Sequence, residues 1–83
     1  MPRKTIPVRV LRIHRRTDGR YESRNDVPGD SPLGVDYSLN QALGTAQREA
    51  TLASREGCRV RIEMQDNNNK WKQIDVVEPP RPR

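Results

Sequence analysis

A helix with signals at both ends, set between two hairpin patterns, constrains this chain more than any other feature. Ser38 occupies the N-cap position and Gln41 follows three residues later, at the spacing of a capping box. Gly57 stands where a C′ glycine ends a helix, so we predict a helix over Leu39–Glu56. Its apolar residues recur at helical spacing on one face, namely Leu39, Ala42, Leu43, Ala46, Ala50 and Ala53. The pattern predicts one helix laid on one sheet.

The first hairpin pattern spans residues 8–24. A two-residue Asp-Gly turn would place Ile13 and Tyr21 on opposite faces of the sheet, whereas a three-residue loop, Thr17–Gly19, places them on the same face. Burial favours the three-residue loop, because a slip of one residue turns every side chain over. Gly19 then supplies the left-handed residue of a bulge.

The alternation of apolar residues is interrupted once in this hairpin. Val8 and Val10 are out of phase with Leu11 and Ile13, so we expect a bulge near Val10–Leu11. The register turns Leu11 and Ile13 toward the helix.

The second hairpin pattern begins at Arg59, where charged and apolar residues alternate up to Met64. We predict a three-residue loop, Asn67–Asn69, because Asn69 tolerates the left-handed conformation that such a loop needs. That register predicts three cross-strand pairs, Ile62 with Ile74, Val60 with Val76 and Arg61 with Asp75.

The same register places Trp71 on the outer face of the sheet, away from the helix. An alternative register would bury Trp71 under Met64, but it would expose Ile74 and Val76. We favour the register in which Trp71 lies exposed among polar neighbours.

These elements predict an α+β fold, a four-stranded, mainly antiparallel ββαββ sheet with one helix packed on one face. The strand order 2-1-3-4 would leave all neighbouring strands antiparallel. Residues 25–36 contain two Pro, two Gly and three Asp, and we interpret them as a long connection. We expect a single domain over residues 6–77, a disordered tail at 1–5 and a Pro/Arg-rich disordered tail at 78–83.

The composition predicts a thin core. Only 31% of the 83 residues are hydrophobic and none is Phe, and a domain of this size is stabilised by only about 3–5 kcal/mol. A second copy of the chain could cover its apolar surface, so a homodimer is one expectation. The candidate contacts are Leu52, which points away from the core face, and an edge strand, either Tyr21–Arg24 or Ile74–Val77. The second strand is favoured, because charged side chains guard the first.

Cysteine usage and hydropathy bear on the compartment. Cys58 is the single cysteine, so an internal disulfide cannot form. No apolar run approaches the roughly 18 residues that a membrane span needs. These observations predict a cytoplasmic protein.

Residue types with chemical reactivity are sparse. His14 is the single histidine, and the predicted register turns it outward, opposite Glu22, while Cys58 precedes the buried position of Val60. A nucleophile and a base therefore do not meet. The loop aspartates, Asp26, Asp30 and Asp36, lack the spacing of a calcium loop. We predict a protein that is not an enzyme, with no catalytic residues, metal site, cofactor or small-molecule substrate.

The outer face of the sheet is the strongest candidate for a binding site. Lys and Arg total 16 against 11 Asp and Glu, and 13 of the 16 are Arg, the side chain that matches phosphate best. A basic sheet that carries an aromatic residue is typical of single-strand binders. The candidate nucleic-acid-binding residues are Arg12, His14, Arg16, Arg20, Arg24, Arg59, Arg61 and Trp71. We predict a non-catalytic module that binds nucleic acid loosely; the alternative is a homodimeric protein-interaction module without nucleic-acid binding.

The layout resembles small, mostly bacterial hairpin–helix–hairpin domains of unknown function. The similar features are the Asp18-Gly19 turn followed by Tyr21, an alanine-rich helix that ends Arg55-Glu56-Gly57, and Trp71 after the last turn. The resemblance covers about residues 8–77. The chain departs from it in the Pro/Asp-rich loop at 25–36 and in its density of arginine. The resemblance implies the ββαββ fold and no activity.

Overall fold

The computed structural model describes residues 5–27, 29 and 31–80 as one sheet and one helix. In this part of the chain the elements are β1 (Val8–Arg15), β2 (Tyr21–Asn25), β3 (Gly34–Asp36), α1 (Leu39–Arg55), β4 (Arg59–Gln65) and β5 (Trp71–Val77). The strands form a mixed sheet in the order β3-β2-β1-β4-β5. The α+β class with a single helix on the sheet is confirmed. The expected tails at 1–5 and 78–83 lie partly outside the described residues; their described parts, Thr5 and Glu78–Pro80, belong to no helix or strand.

Both predicted ends of α1 are present. The Ser38 hydroxyl accepts a hydrogen bond from the Gln41 N–H at 3.2 Å, which satisfies one of the free donors of the first turn. The Gln41 side chain accepts a bond from the N–H of Tyr37, one residue before the partner of a standard capping box. Gly57 has φ +100°, and its N–H donates to the Ser54 carbonyl at 2.9 Å. The helix therefore ends where the glycine was predicted to end it.

The core lies between α1 and the three central strands. Its buried apolar residues are Leu11, Ile13, Ala42, Ala46, Ala50, Ala53, Val60 and Ile62. Four of these eight are alanines of α1, and their small side chains let the helix lie close to the sheet. Ser23 is fully buried among them because its hydroxyl donates to the Ala42 carbonyl at 3.3 Å. The predicted core face is confirmed except at Leu39, which is 37% exposed.

The prediction of a four-stranded sheet is wrong by one strand. Part of the connection at 25–36 forms β3, whose Gly34 pairs with Ser23 of β2. A three-residue strand that contains one apolar side chain carries no alternation from which it could be predicted. Gly34 is needed for close packing, since a Cβ there would lie 3.0 Å from the Thr45 methyl.

The prediction that all neighbouring strands are antiparallel is also wrong, because β1 and β4 pair in parallel. The predicted order of the hairpin strands is confirmed as β2-β1-β4-β5. The strand β3, which was not predicted, explains why β4 runs parallel to β1. With β3 in place the chain reverses once more before α1, so β4 enters the sheet beside the start of β1, where the Arg59 N–H donates to the Pro7 carbonyl.

The first hairpin has the predicted three-residue loop. The Arg16 N–H donates to the Arg20 carbonyl at 2.8 Å, and Gly19 has φ +87°. Ile13 and Tyr21 therefore share a face. The bulge expected near Val10–Leu11 is absent, because β1 runs in unbroken register along β4.

The second hairpin also has its predicted loop, with Asn69 at φ 61°. A bulge in β5, opposite Ile62 and Glu63, then shifts the register by one residue. Consequently the predicted pairs are wrong: Ile62 lies opposite Asp75, Val60 opposite Val77, and Arg61 opposite Val76. The bulge returns Val77 to the helix side, where it packs on the core, while Trp71 stays on the other face.

We predict that Gly44→Ala stabilises the protein by about 0.5–1 kcal/mol, because glycine in a helix interior is entropically costly. A Cβ at Gly44 meets no atom within 4 Å, so nothing opposes the gain. The measurement is urea-induced unfolding. Gly57→Ala is the control and should destabilise, because its φ of +100° strains any side chain. A loss of stability in Gly44→Ala would contradict the assignment.

Candidate functional site

The face of the sheet opposite α1, the outer face, carries the polar residues predicted for it. Alternation along β1 places Arg12 and His14 there, and the registers align His14 with Glu22 of β2 and Arg12 with Glu63 of β4. Trp71 joins them from β5, in line with Gln65. The prediction that Trp71 lies on this face is confirmed. The alternative register, which would bury Trp71 under Met64, does not occur, because Lys72 lies opposite Met64.

Trp71 is the centre of an aromatic cluster on the outer face. The Arg12 guanidinium carbon lies 4.4 Å from the centroid of the Trp71 ring, within cation–π distance. The His14 ring meets the same indole edge-on, with centroids 5.0 Å apart. These contacts leave Trp71 half-buried rather than exposed. A planar guanidinium stacked on an indole is a surface on which a nucleobase can stack.

Glu63 ties the arginines of β1 and β4 together. One carboxylate oxygen accepts from Arg12 Nε at 3.1 Å and the other from Arg61 Nη2 at 2.9 Å. Glu63 is only 7% exposed, so its charge is held by these two guanidinium groups and not by water. Arg12 also contacts Asp26 at 3.2 Å. The sequence analysis missed Glu63 as a structural residue, although its place between the two arginines follows from the register of β1 with β4.

Arg24 forms a two-bond ion pair with Glu22 on the same strand. Its Nε and Nη2 donate to the two Glu22 oxygens at 3.0 and 3.2 Å. The hydrogen bond from Arg24 lowers the pKa of Glu22, and the bond to Glu22 raises the pKa of Arg24. Burial, together with the charge of Arg24, lowers the pKa of His14, and the opposing effect of Glu22 is smaller. His14 is therefore neutral at physiological pH.

The predicted arginines at the far end of the sheet are paired as well. Arg59 contacts Glu78 at 2.8 Å, and Arg61 donates to Gln73 in addition to Glu63. The outer face thus brings the predicted residues Arg12, His14 and Trp71 together, but carboxylates balance much of its positive charge.

An excess of basic over acidic side chains lies at one end of the sheet. Because β1 and β4 are parallel neighbours, the loops 17–19 and 67–69 lie at the same end, which we call the hairpin end. Arg16 and Arg20 share the single carboxylate of Asp18, at 3.6 and 3.9 Å.

Three more basic side chains at the hairpin end are without an ion pair among the described residues, namely Arg15, Lys70 and Lys72. The guanidinium of Arg15 lies over the ring of Tyr21, at 5.8 Å from its centroid. Over the whole described part of the chain, twelve basic residues stand against ten acidic ones. The excess at the hairpin end is therefore only partly offset by acidic residues elsewhere in the described fold.

The structure separates the two residues with nucleophilic or basic chemistry. His14 lies near the hairpin end, whereas Cys58 precedes β4 at the opposite end and is half-buried. In the described ranges no three His, Cys, Asp or Glu side chains are grouped as metal ligands. Nor does that part of the chain contain a helix with the length and hydropathy of a membrane span.

Comparisons with known proteins return no relative. No protein-family model matches the chain, and neither a curated protein nor a solved structure matches it. The resemblance to bacterial ββαββ domains remains a prediction, and functional argument rests on the geometry of the chain itself.

We predict that Glu63→Ala lowers the free energy of unfolding by about 1.5–3 kcal/mol, the range for hydrogen bonds to charged groups. The substitution removes the acceptor of Arg12 and Arg61. Glu78→Ala, which breaks the exposed pair with Arg59, is the control and should cost at most about 1 kcal/mol. Urea unfolding of both variants tests this, and equal losses would contradict the structural role of Glu63.

We further predict that the His14 imidazole titrates below 6.5 in an NMR pH titration, because burial and Arg24 disfavour its charged form. His14 then binds a proton more readily in the unfolded chain than in the folded protein. The contribution of His14 to stability is therefore present above pH 6.5 and is lost as the pH falls through the folded pKa. The stability difference between the wild type and His14→Gln should shrink between about pH 7.5 and pH 5; a constant difference would refute the prediction.

Proposed function

We propose that this chain is a non-catalytic module that binds single-stranded nucleic acid at the hairpin end of the outer face. One observation carries the proposal: the parallel pairing of β1 with β4 places Arg16 and Arg20 at the same end of the sheet as Lys70 and Trp71. Cations that share one carboxylate can contact backbone phosphates, while the ring cluster of Trp71 offers a stacking surface.

This proposal narrows the predicted surface. Arg12 and His14 remain in it through their contacts with Trp71, and Arg24 flanks them. Arg59 and Arg61 are engaged by Glu78 and Glu63, so a phosphate would have to displace a carboxylate to bind them. We therefore assign those two arginines to the structure of the sheet.

The alternative function, a homodimeric protein-interaction module, receives less support. The β5 edge carries a bulge, and the Val76 N–H is occupied by the Asp75 side chain at 2.8 Å. The opposite edge, β3, is only three residues long and follows Pro32. Both features hinder pairing with another strand. Leu52, which is 55% exposed, remains an apolar candidate contact, as do Ile74 and Val76.

The test is a titration of a 12-nucleotide single-stranded DNA, followed by Trp71 fluorescence at several salt concentrations. We expect quenching of Trp71 and an affinity that falls as salt rises. Arg16→Ala should weaken binding several-fold and reduce the salt dependence by about 0.7 in log–log slope, the value for one phosphate contact.

Arg59→Ala is the matched control, because it removes the same charge at the opposite end of the sheet. Because Arg59 already forms an exposed ion pair with Glu78, its loss should change the affinity for the DNA by no more than a factor of about two. Absence of binding at low salt, or an equal loss in both variants, would overturn the proposed surface.

A further inference from the structure

A groove of about 340 Å³ opens at the hairpin end, between the last residues of β1 and the loop 67–69. Met64, on the helix side of the sheet, forms its accessible apolar part, whereas Ile13, its neighbour in the register of β1 and β4, is fully buried. Its polar lining residues are Arg15, Gln65, Asp66, Asn67 and Asn69. The volume lies in the range of sites for small molecules.

The polar groups in this groove have unused hydrogen-bonding capacity. Asp66 Oδ1 accepts the N–H groups of Asn68 and Lys70, at 2.8 and 3.0 Å, whereas its Oδ2 has no hydrogen-bond partner among the described residues. The side-chain amides of Asn67 and Asn69 have none in that part of the chain either. The groove thus combines the partly exposed side chain of Met64, a free acceptor, free amides and the guanidinium of Arg15.

We propose that this groove binds one nucleobase of the single strand and prefers cytosine to uracil. The proposal rests on the proposed function and adds base selectivity to it. The ring lies against Met64, the cytosine amino group donates to Asp66 Oδ2, and Asn67 donates to the adjacent ring nitrogen. Arg15 contacts the phosphate of the same nucleotide.

The carboxylate of Asp66 is the reason why the groove prefers cytosine to uracil. Uracil presents a carbonyl oxygen where cytosine presents the amino group, and two acceptors facing each other repel. The backbone N–H bonds from Lys70 and Asn68 lower the pKa of Asp66, so the carboxylate is ionised at neutral pH. The loop that shapes the groove therefore also maintains the acceptor.

The experiment is an NMR titration of the full chain with cytidine and uridine monophosphate, which are free nucleotides and do not depend on binding along a strand. We expect shifts of the Asn67 and Asn69 signals and an affinity for the cytidine nucleotide higher by at least about fivefold. Asp66→Asn keeps an oxygen for the loop N–H groups but can present an NH₂ in place of Oδ2. It should abolish or reverse the preference.

Asp18→Asn is the control, because Asp18 is the carboxylate of the other hairpin loop, accepts the Arg20 N–H and does not line the groove. It should leave the preference unchanged. Asn67→Ala, in an exposed loop position, is a second variant and should weaken both nucleotides without changing the fold.

The outcomes separate this inference from the proposed function. DNA binding without any preference between the two nucleotides, or a preference that survives Asp66→Asn, would overturn the groove assignment and leave the proposed function standing. Selective nucleotide binding in a chain that does not bind the oligonucleotide would overturn the proposed function and support the groove. Absence of nucleotide binding at millimolar concentrations would also overturn the groove.

Discussion

The parallel pairing of β1 with β4 is the contact on which the rest of the structure depends. It joins two antiparallel units that share no other strand neighbour, and it brings together Ile13 and Ile62, the largest fully buried side chains. The helix packs over this seam through its alanines because no bulky side chain separates it from the strands. The same pairing sets both hairpin loops at one end and so determines where the unbalanced basic side chains gather.

The outer face is stabilised by its own charges. Glu63 forms ion pairs with both Arg12 and Arg61 across the seam between β1 and β4, and Arg24 pairs with Glu22 beside it. Such pairing gives an uncovered sheet a polar surface without a strong net field. It also means that the number of arginines on a face says little about its affinity for phosphate, since a paired guanidinium must exchange one anion for another.

Positive charge that is not balanced in this way is found where the loops turn. Arg16 and Arg20 share Asp18, and Lys70 follows the asparagine loop. Trp71 on the outer face and the groove at Met64 on the helix side both lie at this same end of the sheet. The proposed surface for the single-stranded nucleic acid and the proposed site for one base therefore lie on opposite faces of the sheet, both at its hairpin end.

Local signals in the sequence determined the helix, both three-residue loops and the outer-face position of Trp71. These signals act over only a few residues, as the helix caps and the turn residues Gly19 and Asn69 do. Their effects can therefore be predicted without knowledge of the tertiary structure. The third strand, the parallel seam and the bulge in β5 were decided by tertiary structure. A short strand such as Gly34–Asp36 forms only because β2 offers a free edge, and that extra reversal sets the direction of β4. The pairing of Glu63 with Arg12 depends on that direction, because residues 51 positions apart meet only once the sheet has assembled.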